Sequence, residues 1–171
     1  MSEKTKSELK KVEKFLVKEM SRGNKLISAE ALRILKGGGK RIRPLLTVLF
    51  SMLGDEYKTD CTVNVAASIE TLHMATLVHD DTIDNAGQRR GIETTFRKHG
   101  IHTAVYTGDW MFVKSLQMLS AAGNESQLNT NMLRMLAQAM ESVCNGEINQ
   151  YYGRGAIPTR SEYFSRIKDK T

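Results

Sequence analysis

The sequence predicts an all-α protein. Only two prolines, Pro44 and Pro158, interrupt 171 residues. Between them the apolar side chains recur at threes and fours instead of alternating, the period of helices packed by one face. Polar caps and glycine stops punctuate these runs where helices should begin and end. A composition of 40% hydrophobic and 26% charged residues is that of a soluble globular chain, and the length suits one domain spanning 1–171.

The first helix is expected over Lys4 to Met20, with Leu9, Val12, Phe15, Leu16 and Met20 on one stripe and Gly23 as a stop. A second should occupy Ser28 to Lys36, closed by Gly37, Gly38 and Gly39. Pro44 suits the first turn of a third that ends near Leu53 and Gly54. Asp60 is placed to cap a fourth, whose broad face carries Val63, Ala66, Ile69, Leu72, His73, Thr76, Leu77, Asp80 and Asp84. Gly87 to Ile101 reads as a linker, followed by helices over Ala104 to Ala121 and Gln127 to Tyr152. The second of these should turn Leu128, Met132, Met135, Leu136 and Met140 inward. Thr159-Arg160-Ser161-Glu162 is a capping box that starts the last helix.

Several functions are excluded early. The longest uncharged apolar-rich stretch, Pro44 to Gly54, falls short of the roughly 20 residues needed to span a bilayer, and the polar start MSEKTKSELKK has no signal-peptide core. Cys61 and Cys144 lie far apart without CxxC spacing, so neither a disulfide framework nor a zinc knuckle is encoded, and a cytoplasmic location is expected. The net charge of +6 is interspersed with acids and has no stacking aromatics beside it, which argues against nucleic acid.

Three stretches carry chemistry. At the end of the fourth helix stands Asp80-Asp81-Thr82-Ile83-Asp84. Asp80 and Asp84 fall roughly 40° apart on one face, with Cβ atoms about 5–6 Å apart, so the pair can share a hard cation. Mg²⁺ takes oxygen ligands and completes its shell with water and substrate phosphates. Taken alone, such an acidic turn is also an ordinary solvated surface. The second stretch, Gly37-Gly38-Gly39-Lys40-Arg41-Ile42-Arg43-Pro44, feeds cations into a helix start, where Lys40 and Arg43 can clasp a diphosphate. The third, Gln88-Arg89-Arg90-Gly91, offers paired guanidinium forks for phosphate oxygens. Each of these also has a bland reading as solvated charge.

In order, GGGKRIRP, ETLHMATLVHDDTID, RRG, GDWMF, GEINQ and YFSRIKDKT make the chain resemble the trans-prenyltransferases, or polyprenyl diphosphate synthases, over nearly its whole length. The resemblance implies an isoprenoid-synthase-type helical bundle around a central cavity, acting as a homo- or hetero-oligomer. It also implies Mg²⁺-dependent condensation of isopentenyl diphosphate with an allylic diphosphate. By position, Lys40, Arg43 and His73, assisted by Arg90, would hold the diphosphate of isopentenyl diphosphate. Asp80, Asp81 and Asp84 resemble the first aspartate-rich motif, with Asp80 and Asp84 as the metal ligands of the allylic diphosphate and Arg89 touching the same group. Lys170 resembles the lysine that neutralises the leaving diphosphate. His79, Asp109 and Gln150 occupy motif positions without an assigned substrate role.

In the family that the sequence resembles, the growing chain runs down from the aspartates along the preceding helix, so small residues at Ala75 and Thr76, with Leu72 a turn earlier, would leave that tunnel open to products longer than farnesyl diphosphate. Two departures qualify the resemblance. Ile92 and Glu93 stand where the family has a proline-containing stretch after RRG. The family also continues well beyond the Lys-Thr pair, through a second aspartate-rich motif. The chain is therefore expected to be the N-terminal part of such a fold, lacking the C-terminal helices and inefficient alone. The alternative is a partner-dependent or regulatory subunit of a heteromeric synthase.

Overall fold

The structure, a computed structural model, describes residues 1–54, 56–122, 126–153, 155 and 157–170. The side chains of 126–129, 166, 169 and 170 also lie outside the described set. Among the described residues there are seven α-helices and one two-stranded hairpin, as the hydrophobic period requires. The chain divides into two compact units, Met1–Asn124 and Glu125–Thr171.

In the first unit, α1 (Glu3–Met20) is capped by Ser2, whose hydroxyl accepts from Thr5 N–H at 3.2 Å, and it buries Val12, Leu16 and Met20 as its stripe predicts. α2 (Lys25–Lys36) starts three residues earlier than expected because the Asn24 side chain caps it, accepting from Leu26 N–H at 2.9 Å. α3 (Ile42–Ser51) also begins early, and Arg41 at its N-cap adopts the left-handed conformation with φ 49°. α4 (Thr59–Ile83) places Asp60 in its first turn, where a carboxylate favours the dipole; Lys58 is the N-cap residue, which corrects the capping role expected for Asp60.

The expected linker is largely structured. Gln88–Arg89 (β1) and Ile92–Glu93 (β2) pair antiparallel, with Gln88 opposite Glu93. Arg90 (φ 52°) and Gly91 (φ 78°) form the two-residue connection, positive φ at both central positions being the conformation that matches strand twist. α5 (Thr95–Ser120) then begins well before Ala104, under a cap in which Thr94 Oγ1 accepts from Arg97 N–H at 3.0 Å. Gly100 (φ 82°) breaks it near its start, and this break obscures the first turns in the apolar pattern.

The core gathers Val12, Leu16 and Met20 with Leu35, Val48, Met74, Ala75, Val78 and Met111. α4 and α5 approach closely: Ser68 Oγ donates to the Ser115 carbonyl at 2.9 Å and Ser115 Oγ to that of Ser68 at 3.0 Å. α3 leaves Ile42, Leu46, Leu49 and Phe50 exposed along one stripe, continued by Leu53. In the second unit, α6 (Ser126–Tyr152) packs with α7 (Arg160–Lys170). Leu136 is buried as expected and Met132 and Met140 half-buried, but Met135 is exposed, a correction to its inward placement; Leu128 has its side chain outside the described residues. The capping box forms: Glu162 accepts from Thr159 N–H at 2.7 Å and Thr159 Oγ1 from Glu162 N–H at 3.3 Å.

Candidate functional site: a cationic cradle and an acidic helix end

Four elements of the first unit build the cradle. The glycine run turns through Gly38 (φ 90°) and Gly39 (φ 145°), conformations that tolerate no side chain cheaply. Gly39 has a second reason to be glycine, because a Cβ there would stand 2.5 Å from Arg90 Nη1. That same guanidinium donates to the Gly38 carbonyl, tying the hairpin turn to the loop. One cavity is thus lined by Lys40, Arg43, His73 and Arg90 together with Gly39, Arg41, Ile42 and Glu70. The sequence-predicted residues for the first diphosphate therefore meet in one place. His73 has its pKa pushed down to about 4, first by burial and then by the positive charge of Arg43, Arg90 and Arg89. Its imidazole is neutral at pH 7, a hydrogen-bonding group among cations.

A second cavity shares Arg41, Glu70, His73 and Arg90 and extends past Met74, Leu77 and Val78 to Asp81 and Arg89. Asp81 is buried and accepts from Arg89 Nε at 2.7 Å, so the middle acid of the motif is held by an arginine. Asp84 is exposed as the C-cap of α4 and Asp80 half-buried one turn earlier; neither lines these two cavities. No group of three His, Cys, Asp or Glu side chains converges on a metal position among the described residues. The acids thus share a helix end without enclosing a cage.

Leu72 and Thr76 lie half-buried on a stripe of α4 that runs from Cys61 through Val65 and Ile69 to Asp80, whereas Ala75 is wholly buried in the core. Lys170 ends α7, and its side chain and Thr171 lie outside the described residues.

Two supports were not legible in the sequence. His79 Nε2 lies 3.3 Å from the Val105 carbonyl and 3.3 Å from Asp109 Oδ1, with its ring against Phe112. A Cβ on Gly108 would meet that ring at 2.3 Å, which explains the Gly-Asp pair. The second is Glu30, buried, which accepts from Arg33, Thr95, Lys98 and His99. Burial alone would raise its pKa, but hydrogen bonds from Arg33, Lys98 and His99 prevail and hold it at about 2. Arg33 carries the restraint to the hairpin by donating to the Glu93 carbonyl at 2.6 Å. A lone carboxylate between the buried Ser28 and Ala31 of α2 was the one available signal.

A model of the polyprenyl synthetase family matches residues 24–171. The chain belongs to the polyprenyl synthetase family. It is 42% identical over 147 residues to heptaprenyl diphosphate synthase component 2 of Bacillus subtilis, covering 85% of this chain and 40% of that protein. To octaprenyl diphosphate synthase of Escherichia coli it is 31% identical over 167 residues, 98% of this chain and 50% of that one. The crystal structure of heptaprenyl diphosphate synthase from Staphylococcus aureus superimposes with a TM-score of 0.88 at 34% identity, over 98% of this chain and 52% of that one. The chain thus spans 40–50% of the length of the two curated polyprenyl synthetases.

Proposed function

We propose that the chain serves prenyl transfer, the Mg²⁺-dependent head-to-tail condensation of isopentenyl diphosphate with an allylic diphosphate to a polyprenyl diphosphate longer than farnesyl. One observation carries the reading: Lys40, Arg43, His73 and Arg90, from four separate elements, line one cavity on the helix that ends in Asp80 and Asp84. Exposed ammonium and guanidinium groups around a neutral imidazole suit a diphosphate, which takes several charge-assisted hydrogen bonds.

The donor set at the other end fits Mg²⁺. Asp80 and Asp84 supply hard carboxylate oxygens at one helix end, the ligand type that Mg²⁺ takes alongside water and phosphate oxygens. Bound there, the ion would neutralise charge on the allylic diphosphate. Arg89, steadied by Asp81, directs its remaining N–H groups at that diphosphate, and Lys170 assists its departure. In the reaction the allylic C–O bond breaks with its electron pair leaving on diphosphate. The isopentenyl double bond forms the new C–C bond, and a proton is lost. No side-chain nucleophile is needed, so the residues position two anions and exclude water. Leu72, Thr76 and Ala75 of α4 flank the growing chain.

Residues 1–171 form the N-terminal part of a single synthase domain, located in the cytoplasm and working in a homo- or hetero-oligomer. Among the described residues no helix is long and apolar enough to cross a membrane. A second reading, a partner-dependent subunit, is favoured by the B. subtilis relative being named component 2 of its synthase. The test is an assay of the purified 171-residue chain with radiolabelled isopentenyl diphosphate, farnesyl diphosphate and Mg²⁺, alone and with any co-purifying chain. Product from the assembly alone supports the reading, robust product from the short chain removes the need for a partner, and no product from either rejects prenyl transfer.

A further inference from the structure

Lys40, Arg41 and Arg43 look alike in the sequence and line one cavity, but only Arg41 is tied down by its own guanidinium. Lys40 and Arg43 are exposed, whereas the side chain of Arg41 is only 16% accessible and is paired on every arm. Its Nε donates to Glu13 Oε1 of α1 at 2.5 Å, Nη1 to Glu70 Oε1 of α4 at 3.1 Å, and Nη2 to the Leu35 carbonyl of α2 at 2.6 Å. Its own backbone is the left-handed N-cap of α3.

We propose that Arg41 is the positioning residue of the cradle: one guanidinium joins α1, α2 and α4 to the start of α3 and thereby fixes where Lys40 and Arg43 present their charges. The inference rests on the cradle being a diphosphate site. A left-handed backbone is unfavourable at a residue with a Cβ, so it persists where surrounding bonds impose it. Reversing the chain direction at Arg41 separates Lys40, on the loop, from Arg43, in the first helical turn, so both reach the same cavity. Glu70 is buried and lines that cavity, so its charge needs the fork of Arg41 to keep it from competing with an anion for Lys40. A lysine keeps the charge but has no planar fork to satisfy three directions at once.

The experiment titrates the 171-residue chain with inorganic diphosphate in EDTA by calorimetry. Circular dichroism confirms folding of each variant, and NMR follows titration of the His73 ring. Lys40→Ala should weaken binding about tenfold, the loss of one charge-assisted contact. No loss in Lys40→Ala rejects the diphosphate site itself, and with it the basis of this inference. Arg41→Lys should also weaken binding about tenfold in the wild type but under about threefold in the Lys40→Ala/Arg43→Ala background, because a group acting through Lys40 and Arg43 loses its lever once both are gone. The His73 ring should titrate higher in Arg41→Lys as Arg43 moves away. Equal losses in both backgrounds with unchanged His73 titration would overturn the proposal and make Arg41 a direct ligand. If Arg41→Lys does not fold, Glu13→Gln decides: it loosens one arm at a half-exposed residue, and weaker diphosphate binding with a raised His73 titration is expected, while no change in either rejects the role.

Discussion

The cradle and the acidic end of α4 hold opposite charges by opposite means. Cations reach the cradle from the glycine loop, α3 and the hairpin turn, and long-range bonds gather them: Arg90 to the Gly38 carbonyl, Arg41 to Glu13 and Glu70. The acids come from a single turn, in which Asp81 is held by Arg89. The cradle is therefore a product of tertiary structure and the acidic end a product of local sequence. At the cradle, burial and then the positive charge of Arg43, Arg90 and Arg89 hold the His73 pKa down at about 4.

The largest effect expected follows from that difference. Arg43→Ala in an active assembly should raise KM for isopentenyl diphosphate by about 10–100-fold while the allylic KM moves little, since one charge-assisted contact is worth about 1.5–3 kcal/mol. Steady-state kinetics with each substrate varied in turn would measure this. Equal rises in both KM values would erase the distinction between the two ends.

Next in size is a test inside α4, which links the two regions. Thr76 lies on the half-buried stripe leading to Asp80, so Thr76→Phe should shorten the product with little loss of stability. Ala75 is wholly buried, and Ala75→Phe should shorten the product too but lower stability by about 1–3 kcal/mol through overpacking. Product chromatography and thermal melts check both. Unchanged product length in both variants would put the tunnel wall elsewhere.

What the sequence made legible follows the same division. Helices, the Thr159 capping box and the acidic turn were readable because each is specified within a few residues. The individual cradle cations were readable as a run, but not that Arg41 turns inward, because its partners Glu13, Leu35 and Glu70 come from three other helices. The early start of α5 was hidden by Gly100, and the hairpin by its length of two residues per strand. Glu30 and the His79–Asp109 contact were invisible for the same reason as Arg41: burial of a polar group is decided by what packs on it.

A pair of glycines separates the regions by stability. Gly108→Ala drives a Cβ into the His79 ring beneath the acidic end and should cost about 1–3 kcal/mol, displacing Asp80 relative to α5. Gly38→Ala meets no atom within 4 Å, and its penalty is the left-handed backbone alone, about 1 kcal/mol. Gly108→Ala should leave diphosphate binding at the cradle intact, and Gly38→Ala should weaken it despite the smaller fall in melting temperature. The reverse ranking in calorimetry would mean that the cradle is not held by its loop.

The smallest effect is a slope. His73 has a folded pKa of about 4 against an ordinary 6.5. Between these values the unfolded chain binds a proton that the folded chain refuses. Stability therefore falls as pH drops from about 6.5 to about 4, by at most about 1.4 kcal/mol per pH unit for one group. Glu30 acts lower: its pKa of about 2 against 4.5 gives stability that is fully present above 4.5 and lost as pH falls toward 2, so the two windows barely overlap. His73→Asn should flatten denaturant midpoints between pH 4 and 6.5 and leave the lower window untouched. Inorganic diphosphate should do part of the same to the wild type, because an anion among Arg43, Arg89 and Arg90 offsets the repulsion that adds to burial in keeping the imidazole neutral. If diphosphate flattens nothing while Mg²⁺ does, the roles of the two ends in this comparison are reversed.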